Sequence, residues 1–158
     1  ADAILVGART VVTDNPALTT RLFPGHSPHR VILDPNGRLH GGYRVFEDDG
    51  RKVFYFSKSE NPRISGEHIT SEIYPSSADA MNTVLHSLFR QRIGSLLVEG
   101  GAYIHKMFID EGCWDEAWVI RTRHPLDQGL RAPVVRGRLI RTWTSGTDVI
   151  TGIENVHG

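Results

Sequence analysis

The chain of 158 residues has a single cysteine, Cys113, so it can form no intrachain disulfide and gives secretion no support. Set between Gly112 and Trp114, that thiol reads as a small buried hydrophobe. Charge of one sign is also lacking, because 18 Lys and Arg balance 18 Asp and Glu. The balance leaves no broad electrostatic footprint for nucleic acid or an anionic membrane, although arginines can still gather around a phosphorylated small molecule. No apolar run approaches the roughly 20 residues of a membrane span. No basic segment followed by an apolar stretch marks a signal peptide. A soluble, cytoplasmic protein is expected. Signatures of common chemistries are missing too. Neither G-x-G-x-x-G nor the P-loop occurs, and no G-x-S-x-G marks a serine hydrolase. The zinc-deaminase pattern of His-x-Glu with Pro-Cys-x-x-Cys is absent. His26, His29 and His40 lie in polar loops without carboxylate or thiolate companions, so no metal is expected. Trp114, Trp118 and Trp143 are too dispersed for a base-stacking platform and read as core or rim.

What the sequence does contain is an alternation of buried strands and amphipathic helices. Ala3 to Val6 is a continuous apolar run, the pattern of a strand covered on both faces. A short helix is expected over 8–13, before the Asp14-Asn15-Pro16 break. Arg30 to Asp34 reads as a second strand stopped by Pro35-Asn36-Gly37, Val53 to Phe56 as a third, and His68 to Tyr74 as an edge strand. Met81, Val84, Leu85 and Leu88 recur at helical spacing within a helix over about 78–92, with Ser76 and Asp79 as a capping box and Gly94 as the stop. Ser95 to Val98 is then a strand and Ala102 to Glu111 a helix, with Ile104, Met107 and Phe108 on one face and Gly112 ending it. Glu116 to Arg121 follows, and strands near 139–144 and 148–153 flank Gly146 as a hairpin. This order favours an α/β fold with a mixed sheet. The length fits one domain. Opening abruptly on core residues, the chain reads as a piece of a longer polypeptide.

Two segments carry chemistry. In Leu96-Leu97-Val98-Glu99-Gly100-Gly101 an apolar strand ends in a carboxylate and two glycines, and a helix begins at once. Such a turn lets the backbone approach a phosphate at the carboxyl end of a strand. Glu99 reads equally as an ion-paired carboxylate, and the glycines equally as tight packing. The second segment, Gly7 to Arg21, places hydroxyls, a carboxylate and two arginines in one excursion after a strand. Thr10 can donate to a phosphate and Arg21 can clamp one bidentately. The alternative makes Asp14 a turn-former and Arg21 a solvated side chain.

Together these segments resemble the reductase domains of the bifunctional RibD proteins of riboflavin biosynthesis. The residues that carry the resemblance are Asp2-Ala3-Ile4-Leu5-Val6-Gly7-Ala8, Thr10-Val11 through Asp14, Pro16 to Leu18-Thr19 and Arg21. They continue with Val31-Ile32-Leu33-Asp34, Leu97-Val98-Glu99-Gly100-Gly101-Ala102 and Trp114-Asp115-Glu116. The resemblance implies a dihydrofolate-reductase-like three-layer α/β/α fold, with a central mostly parallel mixed sheet and a C-terminal β-hairpin. It implies that residues 1–158 are a RibD-type reductase domain lacking its N-terminal strand and helix. The implied activity is NADPH-dependent reduction of 5-amino-6-(5-phosphoribosylamino)uracil to the ribitylamino product. Alternatives are a reductase of this fold acting on a pterin or related heterocycle, and a non-catalytic nucleotide-binding fragment. By position, Thr10, Asp14 and Pro35 match cofactor contacts, as do Gly100, Gly101, Ala102, Tyr103 and Ile104 at the pyrophosphate turn. Leu18, Arg21 and Glu99 match substrate contacts, with Glu99 also the expected catalytic group. Ser57 and Lys58, just past a strand end, are added as candidates for the adenosine 2′-phosphate. A homodimer and an upstream deaminase domain are further implications. Arg9 stands where the family often has a small residue, and Asn15 where it has a second aspartate. The segment Pro125 to Pro133, with Asp127-Gln128-Gly129, only loosely follows the family's Gly-rich loop.

Overall fold

The computed structural model describes residues 1–22, 24–123, 129 and 131–156, and these divide into two compact units, Ala1–Ile104 and His105–Gly158. Pro125, Asp127 and Gln128 lie outside the described residues.

The first unit is built on five parallel strands: β1 (Ala3–Gly7), β2 (His29–Asp34), β3 (Val53–Ser57), β4 (Ile69–Ile73) and β5 (Leu96–Val98). Their order in the sheet is β4-β3-β2-β1-β5. β3 is buried throughout, and β1 and β2 nearly so. Their apolar runs therefore show no alternation, because both faces of the sheet are covered. On one face, Val6, Ile32, Val53 and Tyr55 join Ala8 and Val11 of helix α1 (Ala8–Asp14) and Leu39, Val45, Phe46 and Ile64 from the loops. The pleat sends Leu5 and Gly7 to the opposite face. There Ile104 of helix α3 (Ala102–Asp110) sits so close to Gly7 that a Cβ would lie 2.8 Å from its Cδ1.

Helix α2 (Ala80–Arg90) buries Met81, Val84 and Leu88 of the expected stripe together with Ala80 and Ser87, while Leu85 is only half-buried. Its ends differ from expectation. Asp79 caps the helix without a side-chain hydrogen bond to the backbone, because Ser76 Oγ donates to its carboxylate at 2.5 Å; the capping box does not form. Arg92, at φ 60°, takes the left-handed position expected near Gly94, and Ile93 N–H bonds back to the carbonyl of Leu88. Gly94 instead donates its N–H to Asp2 Oδ2. Asp14 is likewise the last residue of α1, while Asn15, at φ 41°, makes the turn.

The second unit holds an antiparallel sheet, β6 (Glu116–Arg121), β7 (Arg138–Ser145) and β8 (Asp148–Glu154), in the order β6-β8-β7. The parallel and antiparallel parts of the expected mixed sheet are thus hydrogen-bonded separately. Gly146, at φ 60°, turns the hairpin, since Ser145 pairs with Asp148. Trp118 and Trp143 meet edge to face at 5.4 Å across β8, where Gly152 leaves room for the Trp118 ring. Cys113 is exposed, contrary to the reading from sequence, because it follows Gly112 (φ 67°) in the turn that ends α3. Among the described residues no helix is long and apolar enough to cross a membrane.

Candidate active site

Strands β2, β3 and β4 step away from β1 in one direction, whereas β5 lies on its other side. The chain order therefore reverses between β1 and β5. In parallel α/β sheets the crevice outside the carboxyl ends at such a reversal is where ligands bind. Gly7 ends β1 here, and Leu5 pairs with Val98 one residue before Glu99. The register of β1 to β3 carries the same edge through Asp34 and Ser57, which are paired.

The two segments singled out in the sequence meet at this reversal. Gly100 is buried, and a Cβ on it would lie 3.2 Å from Val6 Cα and 3.4 Å from Thr10 Oγ1. Thr10 is thereby placed beside the β5–α3 turn. Gly101 has φ 66° and open space beside it, and its carbonyl accepts the Ile104 N–H at 3.1 Å as α3 begins. A glycine against the strand, a second glycine in left-handed conformation and the start of a helix have the geometry of an anion cradle. These residues fit a dinucleotide pyrophosphate. Ala102 and Tyr103 form the first turn of α3, with Tyr103 exposed and Ile104 buried against Gly7.

The remaining candidates spread along the rim. Glu99 is exposed, with its N–H bonded to the Leu5 carbonyl at 2.9 Å, and it joins no ion pair among the described residues. Asp14 and Arg21 are exposed, so neither is tied into the core. Leu18 packs against the α1-side core in a left-handed conformation, φ 54°. That conformation is uncommon for a leucine. Pro35 follows the buried end of β2. Ser57 is buried and its hydroxyl donates to the Ser59 carbonyl at 2.7 Å, so it shapes the loop, while Lys58 is exposed. Arg21 and Glu99 are not brought into contact with each other.

Sequence reading missed a polar network on this edge. Asp34 is fully buried; its Oδ2 accepts the Leu39 N–H at 2.9 Å and the Tyr55 hydroxyl at 2.8 Å. Burial pushes the Tyr55 phenol up to about 12, with the neighbouring Asp34 carboxylate adding to the shift. Tyr74, at the end of β4, is also pushed to about 12 by burial, with Tyr103 and Asp34 close enough to contribute. No local pattern in the sequence marks this network, because its members lie on separate strands and a loop. The histidines are bound to other partners: Arg51 Nη2 lies 3.0 Å from His26 Nδ1, and the Lys52 and Gly42 N–H groups donate to His29 and His40.

The family described as the RibD C-terminal domain matches residues 1–149. The riboflavin biosynthesis protein RibD of Bacillus amyloliquefaciens is 34% identical over 119 residues, covering 72% of this chain and 32% of that protein. The 2,5-diamino-6-ribosylamino-4(3H)-pyrimidinone 5′-phosphate reductase of Methanothermobacter thermautotrophicus is 29% identical over 167 residues, covering 94% of the chain and 77% of that protein. Among solved structures, the deaminase/5-amino-6-(5-phosphoribosylamino)uracil reductase of Thermotoga maritima superposes with a TM-score of 0.84 at 30% identity, covering 98% of this chain and 45% of that one. The chain thus spans about a third of the Bacillus protein and under half of the Thermotoga protein. The match also carries the fold class, a dihydrofolate-reductase-like α/β architecture.

Proposed function

The chain belongs to the RibD C-terminal domain family, and on that premise we propose that it reduces 5-amino-6-(5-phosphoribosylamino)uracil to the ribitylamino product with NADPH. The observation that carries this reading is the meeting of Thr10 with Gly100 at the point where the strand order reverses. Two segments 90 residues apart in the sequence there build one anion cradle, on the edge where such sheets bind ligands.

When bound, the cofactor supplies the hydride. The chain's own residues bind and orient. Backbone N–H groups at Gly101 to Tyr103, at the positive end of α3, hold the pyrophosphate, and the Thr10 hydroxyl donates to it. Asp14 and Pro35 complete the cofactor's contacts. Lys58, exposed past the end of β3, takes the adenosine 2′-phosphate as a point charge. Arg21 anchors the substrate phosphate with its fork of N–H donors, and Leu18 packs beside it. Glu99, free of ion pairs among the described residues, holds the hydroxyls of the opening sugar. Catalysis on this reading is mostly positioning and electrostatics. A homodimer accords with Trp118 and Ile120, both about half exposed or more on the outer strand β6. An upstream deaminase domain, present in the Thermotoga relative by name, belongs to the same proposal.

The test follows NADPH consumption and product formation with this chain, offering the deaminated pyrimidine, its 2,5-diamino counterpart and a free pterin. Turnover of a phosphorylated pyrimidine without turnover of the pterin supports the assignment. NADPH binding with no oxidation on any substrate would reduce the chain to a nucleotide-binding module.

A further inference from the structure

The loops that leave β2 and β3 are stitched to each other rather than lying free on the edge of the sheet. Asn61 is the crossing point. Its Nδ2 donates to the Tyr55 hydroxyl at 3.0 Å, to the Leu39 carbonyl at 3.0 Å and, more weakly, to the Gly37 carbonyl at 3.4 Å. The Tyr55 hydroxyl passes the chain on to Asp34 Oδ2, which also takes the Leu39 N–H. Asn61 Oδ1 in turn accepts the Arg63 N–H at 3.3 Å and Nε at 3.4 Å, the Arg63 guanidinium reaches the Gly37 carbonyl, and Gly41 N–H donates to the Arg63 carbonyl at 2.9 Å. Segments 35–41 and 58–64 have few apolar anchors, chiefly Leu39 and Ile64. Their relative position therefore depends on this directional polar chain.

Such a chain could serve stability alone. Two features point further. Asp34 Oδ1 is buried with no partner among the described residues. A half-satisfied buried carboxylate costs stability, so it is a poor device for stability as such. And the two joined loops start at Pro35 and Lys58, immediately beyond strand ends that pair through Asp34 and Ser57.

We infer that Asn61 is a positioning residue for the dinucleotide: by tying the 35–41 loop to the 58–64 loop it fixes Pro35 and Lys58 relative to each other before the adenosine phosphate arrives. The inference rests on the reductase reading above. Loops already ordered lose less freedom on binding, and this raises affinity without any new contact.

The test is calorimetric titration of the whole chain with NADP+ and with NAD+, alongside Asn61→Ala and Tyr55→Phe. Asn61→Ala is expected to weaken NADP+ binding about tenfold, the scale of one lost part-buried hydrogen-bond junction. The preference for NADP+ over NAD+ should fall with it, because Lys58 no longer has a set place. Tyr55→Phe, which removes only one hydroxyl, should shift both readings in the same direction by less, and it remains informative if Asn61→Ala does not fold. A purely structural role would lower Tm and leave the NADP+ to NAD+ ratio unchanged. Folded variants with wild-type affinity, or with equal losses for both dinucleotides, overturn the inference alone. A wild-type chain that binds neither dinucleotide overturns the reductase reading and this inference with it.

Discussion

Thr10 Oγ1 lies 3.4 Å from the place a Cβ would take on Gly100, so the first turn of α1 and the β5–α3 turn leave no room for a side chain between them. The other neighbour at that place is the backbone of Val6, at 3.2 Å, and a backbone in the middle of a parallel sheet cannot give way cheaply. Gly100→Ala should therefore cost about 1–3 kcal/mol in denaturant unfolding and weaken NADP+ binding more than NADP+ binding is weakened by Gly101→Ala. At Gly101 space is open, and the cost is the left-handed φ of 66°, about 1 kcal/mol. Equal affinities for the two variants would separate the cradle from the cofactor.

Glu99 and Arg21 should fail in different ways. Glu99→Gln keeps the shape and removes the charge, so turnover should fall by about a hundredfold with little change in KM. Arg21→Ala should raise KM for the phosphorylated substrate, and the defect should vanish for a substrate lacking the phosphate. Steady-state kinetics on both substrates reads this, and an unchanged Glu99→Gln turnover makes that carboxylate a bystander.

Lys58→Ala should discriminate between dinucleotides. A lysine that meets the 2′-phosphate loses one charge-assisted contact, worth about tenfold in affinity, for NADPH and none for NADH. Equal loss for both would remove Lys58 from the 2′-phosphate site.

Gly7 and Ile104 should be energetically coupled. A Cβ at Gly7 would meet Ile104 Cδ1 at 2.8 Å, but that atom is the tip of a flexible side chain. Gly7→Ala should cost about 1–2 kcal/mol. Ile104→Val, which deletes the clashing methyl, should cost about 1 kcal/mol alone. Combined, the two should cost less than their sum, by about 0.5–1 kcal/mol in a double-mutant cycle. Strict additivity would mean that α3 shifts instead.

Asp2 should make stability depend on acid. Its Oδ2 accepts the Ser95 hydroxyl at 3.0 Å and the N–H groups of Gly94 and Ser95 at 3.0 and 2.9 Å. The Ser95 hydroxyl foremost, then these backbone donors, hold the carboxyl below its ordinary range. The unfolded chain, with an ordinary carboxyl near 3.9, therefore takes up the proton first as pH falls. The contribution is present above that value and lost as pH drops through the folded one. Wild type should exceed Asp2→Asn in urea stability at pH 7, with the gap closing below about pH 4. A gap that persists undiminished at low pH would show that the charge of Asp2 is not involved.

Much of the fold was determined locally, and for that reason it could be read from the residues. Uniformly apolar Ala3–Val6, Val31–Leu33 and Val53–Phe56, short and bounded by turn residues, read as strands covered on both faces, and all three are. The helical spacing of Met81, Val84 and Leu88 likewise leaves α2 one way to face the core. The β5–α3 turn was visible because it is a run of neighbours, Glu99-Gly100-Gly101, set between a strand and a helix. What tertiary structure decided is everything that depends on residues far apart in the chain. Strand order put β5 beside β1 and so created the reversal at which Thr10 meets Gly100. Hydrogen-bond competition took the Gly94 N–H for Asp2 and the Ser76 hydroxyl for Asp79, so neither does what its local context favoured, and the Ser57 hydroxyl donates to the Ser59 carbonyl. The Asp34–Tyr55–Asn61 chain had no local signature, because its members lie on two strands and a loop and share no periodicity. Local pattern reports which face of an element is buried. Only the packed chain decides which polar groups that burial brings within a hydrogen bond of one another.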